Sequence, residues 1–132
     1  MNFYVASSFK NKKLVREVSL QLKQLGWHHT YDWTQNERAN SLEALQKIGI
    51  LEKQAVAASD IVVVILPGGK GSHIELGLAI AWRKKTFLYA PNRDAMDMDT
   101  TSTFYHLPEV WICDESIEEL ITTIRDSTTN SN

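Results

Sequence analysis

One stretch limits the folds open to this chain more than any other: Asp60-Ile61-Val62-Val63-Val64-Ile65-Leu66, then Pro67-Gly68-Gly69-Lys70-Gly71-Ser72, then His73-Ile74-Glu75-Leu76-Gly77-Leu78-Ala79-Ile80-Ala81. A β-branched apolar run with no polar alternation predicts a strand buried on both faces, the usual condition of a strand in a parallel sheet. Its glycine-rich exit lets backbone N–H groups come close to a ligand. Ser72 reads as the N-cap of the helix that follows, and a strand, a glycine turn and a helix N-terminus together make a site for an anion. Glu75 puts a carboxylate beside that site, which an anion pocket does not require.

The flanking segments alternate in the same way. Phe3-Tyr4-Val5-Ala6 predicts a first strand left by a turn from Ser7 to Asn11, and Leu14, Val15, Val18, Leu22 and Leu25 follow a helical period that Gly26 is placed to stop. Trp27 to Trp33 has the aromatic and β-branched content of a second strand, with a polar loop from Thr34 to Asn40. Leu42, Leu45, Ile48, Leu51, Ala55 and Ala58 line one face of a second helix leading into the Asp60 strand. Thr86–Ala90 and Val110–Ile112 predict the last two strands, separated by a long polar segment, Pro91–His106, expected to be a lid or partly mobile. Ile117, Leu120, Ile121 and Ile124 mark a closing helix.

This pattern predicts one domain over residues 1–125 and a disordered tail over 126–132. The expected architecture is α/β: a doubly wound, flavodoxin-like, five-stranded parallel sheet in the order 2-1-3-4-5. A ligand in such a sheet lies beyond the carboxyl ends of the strands where the order reverses, here between strands 1 and 3. The Ser7–Lys10 and Gly68–Glu75 turns then meet, with Asp32 and Trp33 on the same rim.

Charge and composition narrow the partners. A net charge of −2 and a sequence pI near 6.1 supply no basic field for a nucleic-acid backbone. No apolar run approaches the ~20 residues of a membrane span, and Met1–Ser8 has no charged leader, so a cytoplasmic protein that binds neither nucleic acid nor membrane is expected. Cys113 is the sole cysteine and reads as a small buried apolar residue. His28 and His29, adjacent in a strand, point to opposite faces and cannot share a metal, while His73 and His106 read as surface or lid residues. Neither a metal nor a cofactor is expected.

Several motifs carry two readings. Gly68-Gly69-Lys70-Gly71-Ser72 resembles a phosphate-binding P-loop, but Gly71 separates the Lys from the Ser and the first glycine is misplaced, so a P-loop nucleotidase is rejected. Ser72-His73-Ile74-Glu75 fits a capping box, in which Glu75 bonds back to the Ser72 N–H; the same position near a positive helix end also suits an ionised nucleophile. Asp60 either bonds neighbouring backbone or contributes a second carboxyl.

Tyr4-Val5-Ala6-Ser7-Ser8, Ala58-Ser59-Asp60-Ile61-Val62-Val63-Val64 and His73-Ile74-Glu75-Leu76-Gly77-Leu78-Ala79 resemble the nucleoside 2-deoxyribosyltransferase family, including its nucleoside 5′-monophosphate N-glycosidase branch, from Phe3 to about Trp111. The resemblance implies that Glu75 is the glutamate that attacks the anomeric carbon and forms a ribosyl-enzyme ester. It sets Glu52, eight residues before Asp60, where the family usually has a catalytic Asp. Tyr4 matches a sugar-site tyrosine of the glycosidase branch, and Ser8 and Lys10 match its phosphate-binding Ser and Arg. The transferases carry an Asp six residues before the nucleophile; here that residue is Gly69, as the glycosidase branch also lacks the Asp, and this favours a 5′-phosphorylated substrate. Pro67-Gly68-Gly69-Lys70-Gly71-Ser72-His73-Ile74-Glu75 is also similar to the Pro-Gly-Gly-x-Gly-Thr-x-x-Glu motif of cytokinin-riboside-monophosphate phosphoribohydrolases, although Ala6-Ser7-Ser8 lacks that family's glycine-rich first turn.

Both resemblances imply cleavage or transfer at an N-glycosidic bond of a nucleoside or its monophosphate. The state to be stabilised is oxocarbenium-like, so an anionic Glu75 below the sugar both attacks and offsets positive charge, while Glu52 or Asp60 holds sugar hydroxyls or protonates the base. Ser7, Ser8, Lys10, Ser72 and the N–H groups of Gly68, Gly69 and Gly71 are the expected phosphate ligands. Tyr31, Trp33 or Tyr105 is expected to stack on the base. The alternative is a non-catalytic nucleotide-binding or interaction domain on the same fold. Four tryptophans in a small domain, with the family's habit of lending residues between subunits, predict a homo-oligomer, with Ser102 and Tyr105 of the Pro91–His106 segment as the loan.

Overall fold

A computed structural model describes residues 1–129. Its β-branched Ile61–Ile65 run forms strand β3, every residue of which is buried. Strand β1, Asn2–Ala6, pairs with it in parallel, Tyr4 opposite Val62. On the other side Lys85–Tyr89 forms β4, followed by β5, Val110–Cys113. With β2, His28–His29, the sheet is five-stranded and parallel in the order β2-β1-β3-β4-β5, the doubly wound arrangement predicted. Helices α1, Lys12–Gln24, and α4, Ile117–Thr129, pack against each other on one side. Helices α2, Leu42–Ala58, and α3, Lys70–Ala81, lie together on the other. The core is the three central strands, Phe3–Ala6, Ile61–Leu66 and Phe87–Ala90, closed by Val15, Val18 and Leu22 of α1 and by Leu120 and Ile124 of α4.

Four expectations are corrected. The second strand is far shorter than Trp27–Trp33. After the N–H groups of His28 and Thr30 have bonded the carbonyls of Met1 and Phe3, the next carbonyl of that ladder, on Val5, accepts from the Trp33 indole Nε1 at 2.7 Å. A side chain thus takes the place of further backbone pairing, and Asp32 caps a 3₁₀ turn over Trp33–Gln35. The apolar face predicted for α2 packs only in part: Ala55 and the neighbouring Val56 are buried, but Leu42, Leu45 and Leu51 are exposed. The α4 helix runs through Thr129, so 126–129 are helical rather than a disordered tail, and 130–132 lie outside the described residues. The α3 helix begins at Lys70 with Gly69 as N-cap, one turn before the predicted Ser72.

The Pro91–His106 segment is folded onto its own chain. Thr100 and Thr101 hydroxyls donate to the carbonyls of Asp94 and Ala95, and the segment ends in a 3₁₀ turn, Thr103–His106. Among the described residues no helix is long and apolar enough to cross a membrane.

Candidate active site

The order of the sheet reverses between β1 and β3, and both strands end in short turns that face the same crevice. Asn11 ties these turns together, donating from Nδ2 to Ser7 Oγ at 2.9 Å and to the Pro67 carbonyl at 3.0 Å. Ser7 in turn donates to the Ile65 carbonyl at 2.8 Å. Its hydroxyl proton therefore bridges the two strand ends, and only the rest of the residue faces the cavity.

Glu75 sits in the second turn of α3, buried apart from 7% of its surface. The Tyr4 hydroxyl, from a fully buried side chain in the middle of β1, donates to Glu75 Oε2 at 2.7 Å and lies 3.4 Å from Oε2 of Glu52 on α2. Three elements with no sequence proximity thus converge on one phenol oxygen. The capping-box reading of Glu75 falls, because the helix starts at Lys70 and the carboxylate engages Tyr4 instead of the Ser72 N–H. Ser72 Oγ donates to the Gly69 carbonyl at 2.9 Å. A Cβ at Gly68 would run into that hydroxyl, so the turn needs a glycine there.

Burial pushes the Glu75 carboxyl up to about 8; the bond from Tyr4 pulls it back, and the neighbouring Glu52 raises it again. Burial also raises Glu52, against hydrogen bonds from Tyr4 and Glu75 that lower it. Two carboxyls in one desolvated space resist double ionisation, which holds both above the usual carboxylate range. Burial, then Glu75 and Glu52, drive the Tyr4 hydroxyl far above its usual range, so it stays protonated and its one proton goes to Glu75.

Around this group lie two adjoining lobes. A cavity of about 290 Å³ is lined by Ser7, Ser8, Phe9, Trp33, Glu52, Gly69, Gly71, Ser72 and Glu75. Phe9, Trp33 and Glu52 also border a larger lobe of about 610 Å³, with Lys10, Asn36, Leu45 and Ile48 among its walls. Leu45 and Ile48, on the face of α2 that carries Glu52, thus line the crevice instead of the core. Phe9 and Trp33 meet edge to face at 5.6 Å, forming an aromatic wall. Phe9 went unnoticed in the sequence, although its position directly after Ser8 in the β1 exit turn was the available signal.

Other expected residues lie elsewhere. Asp60, just before β3 at the amino edge of the sheet, accepts the Asn2 N–H at 2.8 Å, the backbone role weighed for it. Tyr31 accepts from Asn36 Nδ2 at 2.7 Å and borders a different cavity, under β2. Tyr105 bonds His73 and, with Gly68, lines a third cavity, of about 320 Å³, between the β3–α3 turn and the 91–106 segment. Ser102 accepts from the Phe104 N–H as a local cap, so neither residue extends away from its own chain. Among the described residues no group of three or more His, Cys, Asp or Glu side chains is placed to hold a metal.

A doubly wound α/β domain with a buried and a half-buried glutamate facing one tyrosine hydroxyl at its switch point has the form of a small-molecule crevice site. The chain belongs to the nucleoside 2-deoxyribosyltransferase family, whose model matches residues 3–119, and that membership makes it an enzyme acting on N-glycosidic bonds. Similar solved structures share the fold over almost its full length. They include the CMP N-glycosidase BcmB of Clostridium botulinum (TM-score 0.67, 17% identity, 95% of this chain and 99% of that one). A conserved protein from Enterococcus faecalis V583 has a TM-score of 0.69 and 18% identity over 96% of this chain and 98% of its own. A 2-deoxyribosyltransferase from the psychrotolerant bacterium Bacillus psychrosaccharolyticus has a TM-score of 0.60 and 19% identity over 91% and 90%. No curated protein matches the sequence.

Proposed function

We propose that the protein cleaves the N-glycosidic bond of a nucleoside 5′-monophosphate through a ribosyl-enzyme ester on Glu75. The observation that carries this reading is the convergence of Glu75, Glu52 and the Tyr4 hydroxyl in the smaller lobe. The pair supplies one carboxylate and one carboxylic acid at the same time. In the microstate that reacts, the pair's one proton lies on Glu52 and Glu75 is the carboxylate: Glu75 attacks C1′, the C1′–N bond breaks, its electron pair leaves with the base, and Glu52 gives the base its proton. Water then attacks C1′ and gives a proton to Glu52, the C1′–O bond to Glu75 breaks with its electron pair returning to the carboxylate, and the sugar phosphate leaves with both carboxyls restored. A second base in place of water would make the reaction a transfer. Tyr4 holds one Glu75 oxygen and fixes the carboxylate's orientation.

The phosphate end belongs beside Ser8, Gly69, Gly71 and Ser72. Gly69 has no side chain with which to cap α3, so the first N–H groups of the helix are left for a ligand, where the helix dipole favours an anion. Gly69 also replaces an Asp that would repel one. Lys10 is exposed on the rim and adds a charge there. The base occupies the larger lobe against Phe9 and Trp33. The exposed apolar residues of α2 and α3, discussed below, favour a homodimer.

The deciding experiment incubates the protein with nucleosides, deoxynucleosides and their 5′-monophosphates and measures free base. Release from at least one monophosphate, faster than from its nucleoside, is expected. Absence of release or exchange from every member would overturn the reading in favour of a binding domain.

A further inference from the structure

His73 is absent from the proposed chemistry, yet it makes two directed contacts. Its Nδ1 lies 2.8 Å from the Gly69 carbonyl, and its Nε2 lies 2.6 Å from the Tyr105 hydroxyl, with the two rings stacked at 5.8 Å. A carbonyl oxygen only accepts, so Nδ1 carries the hydrogen; Nε2 of the neutral ring then accepts the Tyr105 proton. The Gly69 carbonyl thereby receives the His73 ring, the Ser72 hydroxyl at 2.9 Å and the His73 backbone N–H at 3.2 Å. Ordinary helix geometry requires only the last.

The Gly69–Lys70 peptide is planar and trans, so a fixed carbonyl also fixes the Lys70 N–H, pointing the opposite way, out of the helix end that borders the smaller lobe. Gly69 has no side chain to hold this peptide itself and is exposed. The ring of His73 substitutes for the missing constraint. Tyr105, 3% exposed and anchored in the 3₁₀ turn at the end of the 91–106 segment, donates to Nε2 of the tautomer that the Gly69 carbonyl selects and holds the ring in place.

We propose that His73 is a positioning residue for the phosphate end of the substrate: its Nδ1–H locks the Gly69–Lys70 peptide so that the first amides of α3 are set for the anion before it arrives, and Tyr105 locks His73. The inference rests on the reading that this turn binds a 5′-phosphate.

The test is calorimetric binding of ribose 5-phosphate and deoxyribose 5-phosphate, probes that need neither a base nor turnover. The lost bond is a neutral one that reaches the anion only through the peptide, so His73→Ala should weaken the sugar phosphate that the wild-type protein binds by about five- to tenfold. His73→Asn, whose amide can reach the Gly69 carbonyl as Nδ1 does, should recover most of that loss. Tyr105→Phe keeps the rings but frees Nε2, and should cost a few-fold. In turnover, His73→Ala should raise KM for the monophosphate and leave the nucleoside's KM unchanged. Unchanged sugar-phosphate affinity in His73→Ala overturns the proposal, and so does a loss that His73→Asn fails to recover. If His73→Ala does not fold, undiminished binding by Tyr105→Phe together with His73→Asn binding no better than His73→Gln overturns it. A wild-type protein that binds neither sugar phosphate but still releases base from nucleosides removes the phosphate site itself, and this inference with it.

Discussion

Tyr4 in β1 and Glu75 in α3, 71 residues apart in sequence, meet in a buried hydrogen bond of 2.7 Å. The bond joins the central sheet to the helix that starts at the proposed phosphate turn, and it spends the only proton of a phenol that cannot ionise there. A purely structural tyrosine at this depth would be satisfied by one partner. Here the same oxygen also faces Glu52, so two carboxyls that repel each other when ionised are gathered round one donor.

Glu75→Gln should fold and should lose base release by roughly 10³-fold or more, because the amide can still accept from Tyr4 but cannot attack C1′. It should also be more stable than the wild type at high pH. Burial raises the folded-state value from the ordinary 4.5 to about 8, so the fold binds a proton that the unfolded chain releases. That contribution is complete below pH 4.5 and is lost as pH rises through 8; Gln escapes the loss, by on the order of 2 kcal/mol at pH 9. Thermal melts at pH 5 and pH 9 check this, and equal pH dependence in both proteins would refute it.

Base release should follow a bell-shaped pH profile. At low pH both carboxyls are protonated and no nucleophile exists; at high pH the shared proton is gone and no acid remains. Glu52→Gln removes the acid and should lower kcat by about 10²–10⁴-fold with the alkaline limb flattened. Tyr4→Phe should fold, since only a hydroxyl is lost, and cost about 10–100-fold in kcat through a misdirected Glu75. A Tyr4→Phe protein with wild-type kcat would remove the orienting role.

The central strands were legible because burial on both faces leaves an unbroken apolar run, and the sheet order followed from the alternation of strands and helices. The extent of β2 was not, since an indole N–H from Trp33 replaces the strand's own backbone donor and no periodicity records that exchange. Ser72-His73-Ile74-Glu75 carries the letters of a capping box, but the helix begins a turn earlier and Glu75 is drawn to a partner in a distant strand. Glu75, Glu52 and Tyr4, singled out by motif and resemblance, are brought together by the fold. Tyr31 and Tyr105 border other cavities than the one that holds Glu52 and Glu75, because their positions depend on where the chain turns after β2 and β4, and the turns there carry no pattern. Phe9 carries no motif of its own beside Ser8, and only its contact with Trp33 in the folded chain marks it as a wall of the site.

His29 predicts a second, opposite pH effect. Its ring stacks on Phe3 at 4.6 Å, and neither ring nitrogen has a partner. Burial lowers its pKa to about 4, against the pull of Asp32. A lowered value means stability that is present above the unfolded 6.5 and is lost as pH falls toward 4. His29→Phe, which keeps the stack, should raise Tm by several degrees at pH 5 and far less at pH 8. The gain is about 1 kcal/mol, reduced from the full linkage because solvent reaches part of the residue. A gain of the same size at both pH values would assign the effect to packing alone.

The last prediction concerns the second copy. Leu42, Ile50 and Leu51 of α2 are 85%, 50% and 46% exposed, and Ile74 of the neighbouring α3 and Trp82, the residue directly after it, are 66% and 39% exposed. Ile50 and Trp82 border one shallow apolar hollow between the two helices, with Ala57 between charged Lys53 and polar Gln54. Scattered single apolar residues are ordinary on a surface, but Ile50 and Trp82 meet in one hollow, as residues of a covered face do. The 91–106 segment is no longer the natural loan, because Tyr105 is tied to His73 and Ser102 caps its own turn. The helices that carry Glu52 and Glu75 are then the ones at the interface, so association would stiffen the crevice from behind. Light scattering at assay concentration should give twice the chain mass. Ile50→Glu, which places a charge in the hollow far from the Tyr4 hydroxyl, should give the monomer mass with a folded circular-dichroism spectrum and a lower kcat/KM. A wild-type protein that is monomeric and fully active at the same concentration would show that this face has no part in the site.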